Sequence, residues 1–404
     1  MGELSLNGEV RRINGVLPMV IKAQRCGVKE IYIPAPNAAE GAVVRGITVY
    51  PVRNVGQLLS HLTGGEKITP VSESDFKSYS LPDNLPDFSD VKGQHEAKRA
   101  LEVAAAGGHN VMMIGPPGSG KSMLAKRIPS ILPDMTFEES LETTNIYSVA
   151  GVLPKGISLI KARPFRSPHH TVSPAGLSGG GTVPRPGEIS LAHNGVLFLD
   201  ELPEFSRTSM EVLRQPIEDG KITIARVAAT FSYPCSVMLV CAMNPCRCGW
   251  YGHPSGRCTC TEQSIRRYLG RLSGPLLDRI DICVDVPALE YEELASSEGT
   301  GEPSSAIRAR VNAARAKQTA RFGPNGPVCN AQMGPQHLRK YCRLDEDCQK
   351  LIQGAYERLG LTARSYDRVL RVARTIADLD GARDIALSHL AEALQYRPPA
   401  YLRR

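Results

Sequence analysis

The apolar positions of this chain fall in short runs over most of its length and in helical spacing at its end. Residues 2–8 read as a strand and turn, 16–26 as a helix and Ile31-Tyr32-Ile33-Pro34 as a short strand, so residues 1–63 form a small α/β piece. Residues 64–87 are rich in Gly, Ser, Pro and Asp and lack apolar periodicity, the composition of a linker. From Phe88 to residue 290, short apolar strands alternate with helical stretches, the pattern of a parallel sheet flanked by helices. The strands fall at 110–114, 195–199, 236–242 and 282–286. After a second polar linker at 291–304 only helical patterns remain, at 305–321, 335–341, 345–359, 364–379 and 387–396. The order predicts an α/β protein with parts at 1–63, 64–87, 88–290 and 305–404, uninterrupted by internal repeats or low-complexity tracts.

With 404 residues the chain has room for two or three domains, and 42% apolar with 22% charged residues is an ordinary globular balance. No apolar run approaches the ~18 residues needed to cross a bilayer. The N-terminus also lacks the basic-then-apolar layout of a secretion signal. A cytoplasmic address and no membrane partner are therefore predicted. Eleven cysteines, an odd and unevenly placed set, argue against a secreted disulfide framework. The net charge of +7 is concentrated at the end, where residues 303–404 hold 18 Lys and Arg against 9 Asp and Glu. Such a surplus suits a polyanion partner or an ordinary solvated helical surface equally well.

Gly115-Pro116-Pro117-Gly118-Ser119-Gly120-Lys121-Ser122 matches the phosphate-binding loop pattern in full. It follows the apolar run Val111-Met112-Met113-Ile114 and opens a helix at Met123, the setting that gives the motif its mechanism. The glycines let backbone N–H groups turn toward phosphates, and the helix N-terminus adds its dipole. Lys121 is expected to reach the β- and γ-phosphates of ATP, and Ser122 to coordinate Mg2+. Val196-Leu197-Phe198-Leu199-Asp200-Glu201 is an apolar strand closed by two carboxylates, which a parallel sheet brings to the same edge as the loop. Asp200 is expected to hold the hydrated Mg2+, and Glu201 to polarise the attacking water as general base. A third run, Val237 to Ala242, ends in Met243-Asn244, where Asn244 is expected to position that water.

Cys246-Arg247-Cys248 and Cys258-Thr259-Cys260 are two C-x-C pairs separated by nine residues. Four thiolates this close can converge tetrahedrally on Zn2+. The stretch between them has turn residues and little apolar material, so a metal would supply its core. A structural Zn2+ is the leading reading; a reduced exposed loop and regulatory disulfides remain open, and His253 is a candidate replacement for one thiol.

Pro164-Phe165-Arg166-Ser167-Pro168-His169-His170-Thr171, Gly179-Gly180-Gly181, Pro186 to His193 and Leu199-Asp200-Glu201-Leu202-Pro203-Glu204-Phe205 resemble segments of the magnesium-chelatase-like AAA+ ATPases. Within that group the chain is similar to the YifB/ComM family over essentially its whole length. The resemblance implies an AAA+ core at 88–290, with a P-loop parallel sheet, a hairpin insert and the cysteine cluster, and a helical lid at 305–404. Residues 1–63 resemble part of a Lon-protease-like α/β domain. The half that carries the nucleophilic serine in Lon has no counterpart here, and Met19 stands where the Lon lysine base aligns. Acyl transfer then has no chemistry to use, and this segment is expected to be a remnant or interaction module. Pro275 to Asp281 is similar to the segment holding the family's arginine finger, which assigns Arg279 to a neighbour's nucleotide. Leu361-Thr362-Ala363-Arg364 resembles the second sensor motif, which assigns Arg364 to the γ-phosphate.

The same resemblance implies hexameric rings acting on single-stranded or branched DNA without sequence preference, as helicases or branch-migration factors in recombination and natural transformation. Phosphate contacts are expected from the 163–185 insert, with Arg166, His169 and His170 projecting toward a pore. A second set is expected from Arg308, Arg310, Arg315, Lys317 and Arg321. The competing reading is a chelatase-like motor subunit that remodels a partner protein.

Overall fold

The computed structural model of the chain describes residues 1–71, 85–154, 156–181, 184–225, 230–288 and 301–402. At its centre is a five-stranded parallel sheet in the spatial order Ile282–Asp285, Val111–Ile114, Met238–Met243, Val196–Leu199, Phe165–Arg166. The three middle strands are buried along their whole length. They read as continuous apolar runs because helices cover both faces. Successive residues of a strand face opposite sides, and the core divides accordingly. Val111, Met113, Phe198 and Val240 pack with the helices His95–Gly107, Lys121–Ile131, Ser304–Phe322 and Ala363–Leu379 on one face. Met112, Leu197, Leu199 and Cys241 pack with Leu177, Ile189, Met210 and Tyr268 on the other.

The four expected strands and five expected C-terminal helices all form, with limits within two residues of those read from the sequence. Other elements are additional, two of them beside the sheet core. Phe165–Arg166 pairs with Val196–Leu199 as a two-residue edge strand, too short to leave a pattern. Lys221–Ala225 and Thr230–Pro234 form an antiparallel hairpin. In it Ile222, Ile224 and, in part, Tyr233 point inward, and Lys221, Thr223 and Ala225 are exposed.

At the N-terminus, Glu30–Pro34 and Thr48–Val52 pair in parallel beside the helix Val16–Arg25, around Leu17, Val20, Ile33 and Val49. Buried Glu40 ties this unit to the helix Phe137–Ala150. Its carboxylate accepts from the Leu17 N–H at 2.9 Å, the Asn37 amide at 3.0 Å and the Ser148 hydroxyl. The expected linker begins later than its composition suggests, since Ile68 is buried and the Val71 N–H donates to the Val49 carbonyl at 2.9 Å. Most of both expected linkers, at 72–84 and 289–300, lies outside the described residues. No helix among the described residues is long and apolar enough to cross a membrane.

The basic residues of Ser304–Phe322, expected to meet phosphates, have partners within the fold, although Arg310 and Lys317 remain exposed. Arg310 pairs with Glu102 at 2.5 Å and with Glu302. Arg315 donates to the Ala105 carbonyl at 3.1 Å, and Lys317 to the Asp378 carbonyl at 2.8 Å. Arg308 lies 3.8 Å from Asp134, and Arg321 pairs with Asp378. Apart from Glu302 the partners lie far away in sequence, so the helix reads as an unbalanced basic run although the fold balances it. Asp378 is the most constrained of these groups, with its side chain 1% exposed between Arg321 and Arg374, and it accepts from Asn330 at 2.8 Å. Removing one member of a buried ion network strands the others. Asp378→Ala should therefore lower unfolding stability by ~3–5 kcal/mol, measured by denaturant titration; a loss below ~1 kcal/mol would show the network to be dispensable.

Candidate nucleotide site and cysteine centre

In a parallel sheet all C-terminal strand ends share one edge, and here that edge gathers the residues singled out by their motifs. The 115–120 loop leaves Val111–Ile114 and enters the helix Lys121–Ile131 through Gly118 and Gly120, both with positive φ. A side chain at Gly115 would place its Cβ 2.1 Å from the Val286 carbonyl oxygen, so only glycine fits. Lys121 Nζ donates to the Gly115 and Pro116 carbonyls, both at 2.8 Å, and to Asn244 Oδ1 at 3.1 Å. Burial lowers the Lys121 pKa, while Asp200 and Glu201 act to raise it. Ser122 Oγ donates to Asp200 Oδ2 at 2.6 Å. The structure thus brings Lys121, Ser122, Asp200 and Asn244 together.

Glu201 is set apart from them. It takes a left-handed backbone conformation, φ 52°, and presents a carboxylate that is 59% exposed, 3.7 Å from His170 Nδ1. Two further participants escape sequence reading. Gln94 joins the phosphate loop to the end of the edge strand, donating to the Ser119 carbonyl at 3.3 Å and the Pro287 carbonyl at 2.7 Å. Tyr268, buried, donates to the Asn244 carbonyl at 3.3 Å. A Gly-Gln dipeptide ahead of a helix was the sole signal for Gln94, and Tyr268 had none. Beside the loop a cavity of about 500 Å³ is lined by His95, Glu96, Arg99, Asp285, Tyr396 and Arg397.

Arg166 does not project as expected. It sits in the sheet's edge strand, and its guanidinium makes two 2.7 Å bonds to Glu188. His169 is exposed and stacks near His170, with ring centroids 4.0 Å apart.

Arg279 and Arg364 lie at the opposite edge of the sheet, where the strands begin. They line a cavity of about 560 Å³ with Asn110, Glu218, Asp278 and Arg368. Arg279 pairs with Glu218 and donates to the Pro275 carbonyl at 2.7 Å; Arg364 lies 3.5 Å from Asp278 and is largely exposed. Asn110 fixes this edge. Its side chain donates to the Arg279 carbonyl at 2.9 Å and accepts from the Leu239 N–H at 2.9 Å. Its carbonyl accepts from the N–H groups of Asp281 and Ile282, both at 3.0 Å. From Asn110 to Gly115 the strand spans ~16 Å at ~3.3 Å per residue, so neither arginine adjoins the phosphate loop of its own chain.

The four clustered cysteines converge. Their sulfurs all lie within 4.8 Å of one another, with Cys246–Cys248 at 3.3 Å, Cys248–Cys258 at 3.6 Å and Cys246–Cys258 at 3.8 Å. A tetrahedral Zn2+ with Zn–S near 2.3 Å has sulfurs ~3.8 Å apart, so the donor set fits that ion. Burial opposes ionisation of Cys248, but backbone N–H groups of Trp250 and Thr259 aimed at its sulfur bring its pKa down to about 6. His253, the candidate replacement for one thiol, is not in the converging set: its ring bonds Ser255 at 2.8 Å and stands edge-on to Trp250.

Comparison with known proteins gives concordant results. Residues 87–294 match the family model of magnesium chelatase, subunit ChlI, and 301–397 its C-terminal counterpart; residues 1–37 match a further ChlI subunit model. The chain is 42% identical over 402 residues to competence protein ComM of Haemophilus influenzae, covering 98% of this chain and 77% of that one. It is 41% identical over 397 residues to the uncharacterised protein YifB of Escherichia coli, covering 98% and 76%. A shorter match, 28% over 148 residues, relates 33% of the chain to 26% of Lon protease 2 of Bacillus subtilis.

Proposed function

Because the chain belongs to the YifB/ComM family of magnesium-chelatase-like AAA+ ATPases, we propose that it couples ATP hydrolysis to movement on DNA as one subunit of a six-membered ring. ATP and Mg2+ come with the family. The observation that carries the reading is the meeting of Lys121, Ser122, Asp200 and Asn244 at three adjacent strand ends. There Lys121 neutralises the β- and γ-phosphates, Ser122 and Asp200 hold the magnesium, Glu201 polarises the attacking water, and Asn244 orients that water. The cavity beside His95 and Tyr396 gives the nucleotide's base a place next to the loop.

Arg279 and Arg364 act on a neighbour's nucleotide, since both face away from their own phosphate loop. In this reading 1–63 is a Lon-like segment, 88–290 is the motor and 305–404 its lid. Cys246, Cys248, Cys258 and Cys260 hold a structural Zn2+. DNA meets the layer in which the insert and the hairpin pack together, with the Tyr233 hydroxyl donating to the Pro184 carbonyl at 3.1 Å. That layer exposes Arg185, Lys221 and Phe231. The similarity to a protein named for competence supports a DNA partner.

Glu201→Gln should bind ATP normally and hydrolyse it ~10²–10⁴-fold more slowly, whereas Lys121→Ala should lose nucleotide binding. Wild-type turnover by Glu201→Gln would remove Glu201 from the base role.

Arg279→Ala should bind ATP and lose ~10³–10⁵ in rate. Mixing it with Lys121→Ala subunits should recover part of the activity at mixed interfaces, and no recovery at any ratio would make Arg279 structural.

Single-stranded or branched DNA should raise the ATPase rate, with affinity falling as salt rises. Charge reversal at Arg185 and Lys221 should flatten the salt slope by about one per lost phosphate contact. An ATPase indifferent to every DNA would shift the reading to remodelling of a partner protein.

A further inference from the structure

The cysteine centre is attached to the nucleotide site at three points. Cys246, whose side chain is fully buried, stands two residues beyond Asn244, at the end of the strand Met238–Met243. Gly249, with φ +85°, lies against the phosphate loop so closely that a Cβ there would be 2.2 Å from Pro117 Cδ. The helix Glu262–Leu269 starts directly after Cys260, is capped by Thr261, and carries the Tyr268 that bonds the Asn244 carbonyl. Of residues 251–260 none is buried, so the loop has no apolar core of its own. Besides the Gly249 N–H bond to the Cys246 carbonyl at 3.0 Å and the packing of Trp250 with His253 and Arg257, the four sulfurs are what can hold Gly249 against Pro117.

We propose that the metal-bound cysteine loop is a strut that sets the positions of the phosphate loop and Asn244, so that metal occupancy governs nucleotide affinity. The proposal rests on the zinc reading of these four cysteines. With Zn2+ bound, the two C-x-C turns form one rigid knuckle, and Gly249 presses its backbone on Pro117. Pro117 in turn limits how far the loop can open. Cys246 and Tyr268 hold Asn244 from both sides at the distance at which it meets Lys121. Without the metal the same residues are a flexible turn, and the loop must be ordered by the nucleotide alone. That ordering entropy is subtracted from affinity. Gly249 and the cysteines are thus positioning residues, acting through Pro117 and Asn244.

The test uses the full chain prepared without chelators, with zinc measured by elemental analysis and affinity by titration of a fluorescent ADP analogue in Mg2+. Wild type should carry about one zinc per chain. Cys258→Ser/Cys260→Ser should lose the zinc and bind nucleotide about tenfold more weakly. Stripping zinc from wild type with a zinc-selective chelator should have the same effect and be reversed by adding zinc back. Gly249→Ala keeps all four sulfurs; it should keep its zinc and still bind nucleotide about tenfold more weakly. It decides the matter if the double variant does not fold. Zinc-free wild type would overturn the metal reading and the strut with it. Zinc loss at unchanged affinity, or unchanged affinity in zinc-loaded Gly249→Ala, would overturn the strut and leave the metal site standing.

Discussion

Everything chemical in this molecule depends on the strand Met238–Met243 pairing in parallel on both sides, with Val111–Ile114 and with Val196–Leu199. Parallel pairing forces the three strands to finish together. The phosphate loop, Asn244 and the Asp200-Glu201 pair then lie side by side without any side chain having to reach. The strands contribute only apolar filling, and their length of four to six residues is enough because both faces are covered. Had one strand run the other way, its polar cap would lie at the far edge.

The two acids at the end of Val196–Leu199 show how adjacent residues acquire different work. Asp200 is fastened by the Ser122 hydroxyl and by the N–H of Glu201 at 3.0 Å. Glu201, turned by its left-handed backbone, is largely exposed and lies 3.7 Å from His170 Nδ1. Two neighbouring carboxylates thus differ in restraint, one fixed by hydrogen bonds and one exposed beside His170.

Legibility in the sequence followed the range of the interaction. The phosphate loop, the acidic strand end and the cysteine pairs were readable because their chemistry is encoded in spacings of a few residues. So were the strands and the C-terminal helices, whose period is local. Arg166 misled because Glu188 lies on another element, and the basic helix misled because its partners Glu102, Asp134 and Asp378 are folded in from elsewhere. A charge count records residues before pairing, so the C-terminal surplus overstates what the surface offers. The hairpin at 221–234 escaped because two isoleucines and an exposed second strand hardly depart from a polar loop. Contacts such as Gly249 on Pro117 have no sequence signature at all.

Asn110 has a mechanical meaning. By bonding the Arg279 carbonyl, the Leu239 N–H and the edge strand at once, it makes the arginine's backbone and the phosphate-loop strand two ends of one short rod. A rod cannot tilt at one end alone. If the phosphate-loop end of the strand tilts by a few degrees, the far end beside Arg279 moves on the order of an ångström. The stiffness of a single asparagine's bonds then sets how faithfully a movement at one edge of the sheet is passed to the other.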